Sequence, residues 1–392
     1  MKRRKLGSRG PELSILGFGC MRLPVSGEKI DRNEAMAMFT MAIDAGIDYL
    51  DTAWPYHDGE SEKIVGDVLM AHRRDSIKIA DKMPTWLVKS HADLDRFFAQ
   101  QLKRLKTDYI DVYLLHALEA ARWKRMLEIG AIDWLAKRKE RGDIVYSGFS
   151  FHDHYESFET ILDAWEWDVC QIQYNFLDVN EQAGIRGLRL AHAKSIGVIV
   201  MEPLLGGNLV RAPKAVEALW ARSAHPEWTP VERALRWLWD QKEVGTVLSG
   251  MSSLAHVSEN IEIASVASMG EFSDDEKLLY DEALTLYRGL KAVGCTGCGY
   301  CKPCPQGVDI PWNFKLINRG IMYGNPDSAR NEYEDMLRSF EKGLLPSDPR
   351  ALNCISCGEC EPKCPQKLEI GRLMPEAAML LSGKKAFDEA DI

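Results

Sequence analysis

Five successive apolar runs of this chain close on Asp51, Lys82, His116, Ser150 and Gln173, and Tyr56 follows shortly after the first. A tyrosine hydroxyl ionises at about pH 10, too high to trade protons freely at neutrality. A lysine ammonium beside it favours the phenolate, and a carboxylate keeps that lysine charged and oriented. Asp51, Tyr56 and Lys82 together therefore read as a tuned acid–base tyrosine. Such a group suits giving a proton to a carbonyl oxygen while hydride arrives at its carbon. His116 would donate a hydrogen bond to the same oxygen. A second chemistry sits near the other end. Of ten cysteines, Cys20 and Cys170 stand alone and eight fall between Cys295 and Cys364. In a chain of 392 residues without an export signal, that crowding points to metal or iron–sulfur ligation rather than disulfides.

The first set of residues needs a scaffold that brings strand ends together. Eight near-continuously apolar segments read as strands buried on both faces: "LGFGCMRL", "DYLDTA", "SIKIADKM", "IDVYLLHA", "DIVYSGFS", "DVCQIQYNF", "GVIVMEPL" and "EVGTVLSGM". Amphipathic helical patterns lie between them, as at 31–46, 91–105 and 217–241. Eight strand–helix units within about 250 residues predict an α/β fold of the (β/α)8 barrel type, whose C-terminal face gathers the strand ends. A doubly wound sheet is the alternative, but its glycine fingerprint is missing. "KRRKLGSRGPELSIL" reads as a hairpin plugging the opposite end. The division expected is 1–270 for barrel and hairpin, 271–293 for a linking helix capped by Ser273, and 294–392 for a smaller, mainly helical domain. "FDEADI" reads as a loose acidic tail.

A formal charge of −9 argues against a nucleic-acid binder. No stretch approaches the ~20 apolar residues that cross a bilayer, and "MKRRK" is followed by no apolar run. The expectation is a cytoplasmic protein acting on a small molecule. "HDH" at 152–154 sits where a helix should begin and reads as a cap rather than a metal site.

"LGFGCMRL", "YLDTAWPYHDGESEKIVG", "IADKMP", "DVYLLHAL", "SGFS", "QIQYN" and "MEPLLGGNL" together resemble an aldo-keto reductase over residues 3–267. The resemblance implies Asp51, Tyr56, Lys82 and His116 as the catalytic set. It implies dinucleotide contacts at Gly19, Cys20, Met21, Ser150, Gln173 and Met201, and at Pro203, Leu204, Gly206 and Asn208 around the diphosphate. The adenosine half would lie against 249–264, near Ser252, His256, Glu259 and Asn260. Trp54, beside Tyr56, would wall the substrate pocket. Phe151 replaces the family's frequent asparagine, and Met201 stands where an aromatic commonly stacks on nicotinamide. Relatives using NADP(H) usually grip its 2′-phosphate with Lys or Arg. Residues 249–264 contain neither, so NADP(H) and NAD(H) both stay open.

The cysteines run Cys295-x2-Cys298-x2-Cys301-x2-Cys304-Pro and Cys354-x2-Cys357-x2-Cys360-x3-Cys364-Pro. The second is similar to the bacterial ferredoxin run, in which three thiolates hold one [4Fe–4S] cluster and the fourth crosses to another. That likeness implies Cys295, Cys298, Cys301 and Cys364 on one cluster and Cys354, Cys357, Cys360 and Cys304 on the second. The long helical spacer resembles the α-helical ferredoxins. The first run is one residue short before Cys304, which leaves a [3Fe–4S] centre as an alternative there. Zinc is the other alternative, but four ligands per ion explain neither the triple spacing nor the trailing prolines. The function expected is NAD(P)-dependent carbonyl–alcohol interconversion with two clusters. The alternatives are an electron relay to a flavoprotein or ferredoxin partner, or clusters that are structural or sensory.

Overall fold

The structure, a computed structural model, describes residues 1–27 and 29–391. Eight parallel strands close into a barrel: β1 (Leu16–Gly19), β2 (Tyr49–Asp51), β3 (Lys78–Met83), β4 (Ile110–Leu118), β5 (Ile144–Phe151), β6 (Val169–Gln173), β7 (Gly197–Met201) and β8 (Thr246–Ser249). Each pairs with its sequence neighbour, and β8 pairs with β1 to seal the ring. Helices separate the strands, beginning with Arg32–Asp44, Glu60–Ala71 and His91–Leu105. The apolar runs are continuous because each strand meets barrel interior on one side and helices on the other.

The hairpin Arg3–Lys5 with Glu12–Ser14 delivers Leu6 and Leu13 into one cluster with the inward-facing Tyr49, Ala80, Val112, Leu114, Val169 and Ile199. Leu6 fits against two bare backbones: a methyl group at Gly197 or Gly245 would come within 2.5 Å of it. These glycines begin or precede β7 and β8, so the plug sits at the N-terminal end of the strands.

The chain divides into two compact units, 1–206 with 231–273, and 207–230 with 274–392. The segment 207–230, read from sequence as barrel, thus packs with the C-terminal unit. There Trp220 meets Tyr280 at 4.9 Å, and Ser223 Oγ and the Ala224 N–H donate to Glu276 at 2.8 and 2.6 Å. The single helix expected over 217–241 is two, Lys214–Trp220 and Pro230–Trp239. Pro226 and Pro230 lack the N–H that a continuous helix needs, and the second is accommodated at a first turn.

The second unit is mainly helical. Ile310–Met322, Pro326–Glu341 and Ile370–Leu381 pack around Phe314, Ile317, Tyr333, Met374 and Leu380. Its last residues are not loose. Phe387 lies against Gly320, where a methyl group would come within 2.3 Å of the ring, and Arg330 stands 5.5 Å over that ring; Ile392 is outside the described residues. Among the described residues no helix is long and apolar enough to cross a membrane.

Candidate active site and cysteine cavities

Register fixes the first part of the site. Gly19 pairs with Asp51, and Asp51 with Ala80, so the ends of β1, β2 and β3 lie side by side. Lys82 is 1% exposed at its side chain and Asp51 3%. All three ammonium protons are used: Lys82 Nζ donates to Asp51 Oδ1 at 2.5 Å, to the Thr52 carbonyl at 2.8 Å and to Tyr56 Oη at 3.3 Å. Because Tyr56 accepts from Lys82, its own proton is free for another acceptor. Burial works against the Lys82 charge, but Asp51 and Tyr56 outweigh it and hold the amine above the ordinary lysine value. Burial pushes the Asp51 carboxyl up and the Lys82 charge pulls it back. The pair stands as carboxylate and ammonium. Burial also raises the Tyr56 phenol, and Lys82 offsets only part of that. The net direction is opposite to the sequence expectation, because desolvation of the phenolate outweighs one favourable charge.

Tyr56 enters on a tight turn in which His57, Asp58 and Gly59 take φ of 50°, 54° and 85°. Nε2 of His57 accepts from the Leu23 N–H at 3.2 Å, tying this turn to the segment after β1. His116 is presented by a bulge: pairing of β4 with β5 slips between Leu115 and Leu118, and Ala117 adopts φ of 51°. Bulges re-aim side chains beside active sites in this way. Ser150 Oγ accepts the freed Ala117 N–H at 2.8 Å, and Thr85 Oγ1 donates to the His116 carbonyl at 2.7 Å. The imidazole stands 6.2 Å from the Tyr56 ring and 5.1 Å from Trp86. Burial and the Lys82 charge push it well below the ordinary histidine value, so it is neutral. Its Nδ1 is buried without a protein partner.

Other candidates divide. Trp54 is held between Phe97 (4.9 Å) and the Arg104 guanidinium (3.9 Å), and Arg104 is in turn held by the fully buried Glu62 at 2.5 Å. Gln173 donates to Asp178 and accepts from Gln182, each at 2.8 Å. Met201 pairs in register with Gln173, and its sulfur accepts from Gln171 at 3.7 Å. Cys20 is fully buried and Met21 is exposed. Pro203 is buried, Leu204 packs partly on the barrel core, and Gly206 takes φ of +67°. Asn208 falls in the second unit, where Asn325 donates to it at 3.4 Å. Ser252 and His256 are exposed and bonded to each other at 3.3 Å, and Glu259 is half-buried on the same helix. Asn260 turns inward and donates to Ser249 at 2.7 Å, so its amide faces the barrel. Asp153 of the "HDH" stretch caps the neighbouring helix, accepting from the Ala120 N–H at 2.9 Å. Sequence reasoning missed Gln171, which is buried and helps hold Asp51 ionised. The signal was present: "QIQ" on a strand turns both glutamines to one face.

The eight clustered cysteines line two cavities. One is bounded by Cys295, Cys298, Cys301 and Cys364. The other is bounded by Cys304, Cys354, Cys357 and Cys360, with Cys301 at its edge. Each set mixes three cysteines of one run with the fourth of the other, and Cys304 reaches despite its shorter spacing. The Gly297 N–H donates to Cys295 Sγ and the Ser356 N–H to Cys354 Sγ, both at 3.4 Å. This donor set, thiolates with backbone N–H support, fits iron–sulfur clusters. Among the described residues no three His, Cys, Asp or Glu side chains converge on a single-ion site.

A model of the aldo/keto reductase family matches residues 15–276, and one of the 4Fe-4S dicluster domain matches residues 294–369. YqkF, an oxidoreductase of Bacillus subtilis (strain 168), is 29% identical over 299 residues, covering 69% of this chain and 94% of its own length. L-galactose dehydrogenase of Arabidopsis thaliana is 28% identical over 296 residues, covering 70% and 91%. The holo form of aldo-keto reductase AKR11C1 from Bacillus halodurans superposes with a TM-score of 0.62 at 27% identity, covering 72% of this chain and 96% of that one.

Proposed function

Since this chain belongs to the aldo/keto reductase family of oxidoreductases and carries a 4Fe-4S dicluster domain, we propose that it interconverts a small carbonyl compound and an alcohol with NADP(H) or NAD(H). The bound nicotinamide supplies or accepts the hydride. The chain's own residues manage the proton. Tyr56, its pKa raised, is a phenol at neutral pH and gives its proton to the carbonyl oxygen. Lys82 then faces the phenolate with its charge, and Asp51 keeps Lys82 oriented. Neutral His116 directs its donor at the same oxygen, and Trp54 walls the pocket. The observation that carries this reading is the single ammonium shared by Asp51 and Tyr56 at a barrel mouth. Tyr56→Phe should bind dinucleotide as the wild type does and lose roughly 10²–10⁴-fold in carbonyl reduction. Unchanged turnover in that variant would refute the assignment.

A second reading concerns the clusters, held by the two crossed sets of four cysteines. Cys298 and Cys357, one on each cavity, are exposed, as are Tyr300 and Ile355 beside them. Centres so near the surface suit one-electron exchange with a flavoprotein or ferredoxin rather than a purely structural role. A reducing cytoplasm is the compartment that this thiolate chemistry favours. The test is anaerobic EPR: spectra that reduced flavoprotein or ferredoxin leaves unchanged, in a protein whose carbonyl reduction survives cluster removal, would dismiss the relay.

A further inference from the structure

We infer that Arg22 is the cation that grips the dinucleotide's diphosphate. The inference rests on the dinucleotide-dependent reading above. Arg22 ends the single turn Cys20–Arg22 that follows β1. It is exposed, and among the described residues its guanidinium makes no hydrogen bond and no ion pair. An arginine with five donors and no partner, on the face that carries Lys82 and Tyr56, is a group waiting for an anion.

Its position says which one. A methyl group added at Gly206, in the turn after β7, would lie 3.3 Å from Arg22 Nη2. A methyl group added at Gly250, just after β8, would lie 3.2 Å from its Cδ and 3.4 Å from its Cγ. Two bare backbones therefore admit this side chain, the stem passing Gly250 and the fork reaching Gly206. In β/α barrels the turns after the seventh and eighth strands are a frequent phosphate site. Leu205 and Gly206 take φ of +49° and +67°, a left-handed turn that glycine accommodates and that leaves no side chain at Gly206 against the guanidinium. The guanidinium fork matches phosphate oxygens two at a time.

The diphosphate is common to both dinucleotides, whereas the 2′-phosphate is not. Arg22 should therefore raise affinity without choosing between NADH and NADPH. The test is calorimetric titration of wild type, Arg22→Met and Arg22→Lys with NADH, NADPH and ADP-ribose at low and high salt. The methionine keeps the stem against Gly250 and removes the charge. Arg22→Met should weaken all three by the same factor, roughly tenfold or more, and flatten the salt dependence. Arg22→Lys should recover part of the loss. An unchanged dissociation constant, or a loss confined to NADPH, would overturn the assignment. Wild-type protein that binds none of the three would instead sink the dinucleotide reading, and a shifted melting temperature in Arg22→Met would expose a folding defect. In that case the comparison is made on Arg22→Lys, where equal losses for NADH and NADPH support the contact and no loss refutes it.

Discussion

Lys82 holds one proton toward a carboxylate, one toward a carbonyl and one toward the Tyr56 phenol, and it does so almost without solvent. Removing one partner of a buried pair leaves the other uncompensated, at a cost of about 3–5 kcal/mol. In Lys82→Met the Asp51 carboxyl keeps the burial that raises its pKa and loses the charge that opposes it. Its folded pKa then stands above its unfolded one, so the folded state binds the extra proton and stability falls as pH rises through that window. The melting deficit of Lys82→Met should accordingly be small near pH 5 and large near pH 8, and adding Asp51→Asn should restore most of it. A deficit that ignores pH would contradict the pairing. Tyr56 gives a second pH signature. If Tyr56 is the proton donor proposed above, its raised phenol stays protonated across neutrality, so kcat for carbonyl reduction should stay level and fall only in strong alkali. Alcohol oxidation needs the phenolate, and its kcat should climb with pH over the same range. Profiles in both directions check this, and an oxidation rate that falls with pH would contradict it.

Among the elements, what the sequence discloses follows burial. The eight strands were legible because strands covered on both faces are written in continuous apolar residues, and Asp51, Lys82 and Ser150 were legible as the polar stops of those runs. The helix over 217–241 was misread because its apolar period carries on across Pro226 and Pro230, while backbone hydrogen bonding does not. The bulge at His116 left no mark in the residue types, since its support is a serine from the next strand. Arg22 was invisible for the same reason: its neighbours are Gly206 and Gly250, remote in sequence and without side chains. The plug was readable as a hairpin, though not which leucine matters. Leu6 sits in a notch cut by two glycines and has no exposed surface. Leu6→Ala should therefore cost about 3 kcal/mol, as buried leucine truncations do. Because that notch lies at the end of the strands away from Tyr56, KM for the carbonyl should stay put. Thermal unfolding beside steady-state kinetics measures both, and a raised KM with unchanged melting would contradict the plug.

At the scale of the molecule, the C-terminal unit is built on the repeat of the two cysteine runs, which continues past each trailing proline. "CPQGVDI" at 304–310 and "CPQKLEI" at 364–370 each end a cysteine run and open a helix, Ile310–Met322 and Ile370–Leu381. Just before each helix, its run's last cysteine lines the cavity of the other run's first three. The two cavities are thereby interlocked: neither set of four thiols can be completed by one run alone. Losing the last cysteine of one run should therefore empty the cluster held by the first three of the other. Cys364→Ala should abolish the same EPR signal as Cys295→Ala, and Cys304→Ala the same signal as Cys354→Ala, each variant keeping about half of the iron and sulfide. Had each run closed on itself, Cys364→Ala would instead group with Cys354→Ala. The barrel strands have their own core, so these variants should keep the barrel folded even as the iron falls. Iron content and EPR on one anaerobic preparation of each variant distinguish the crossed arrangement from the uncrossed one.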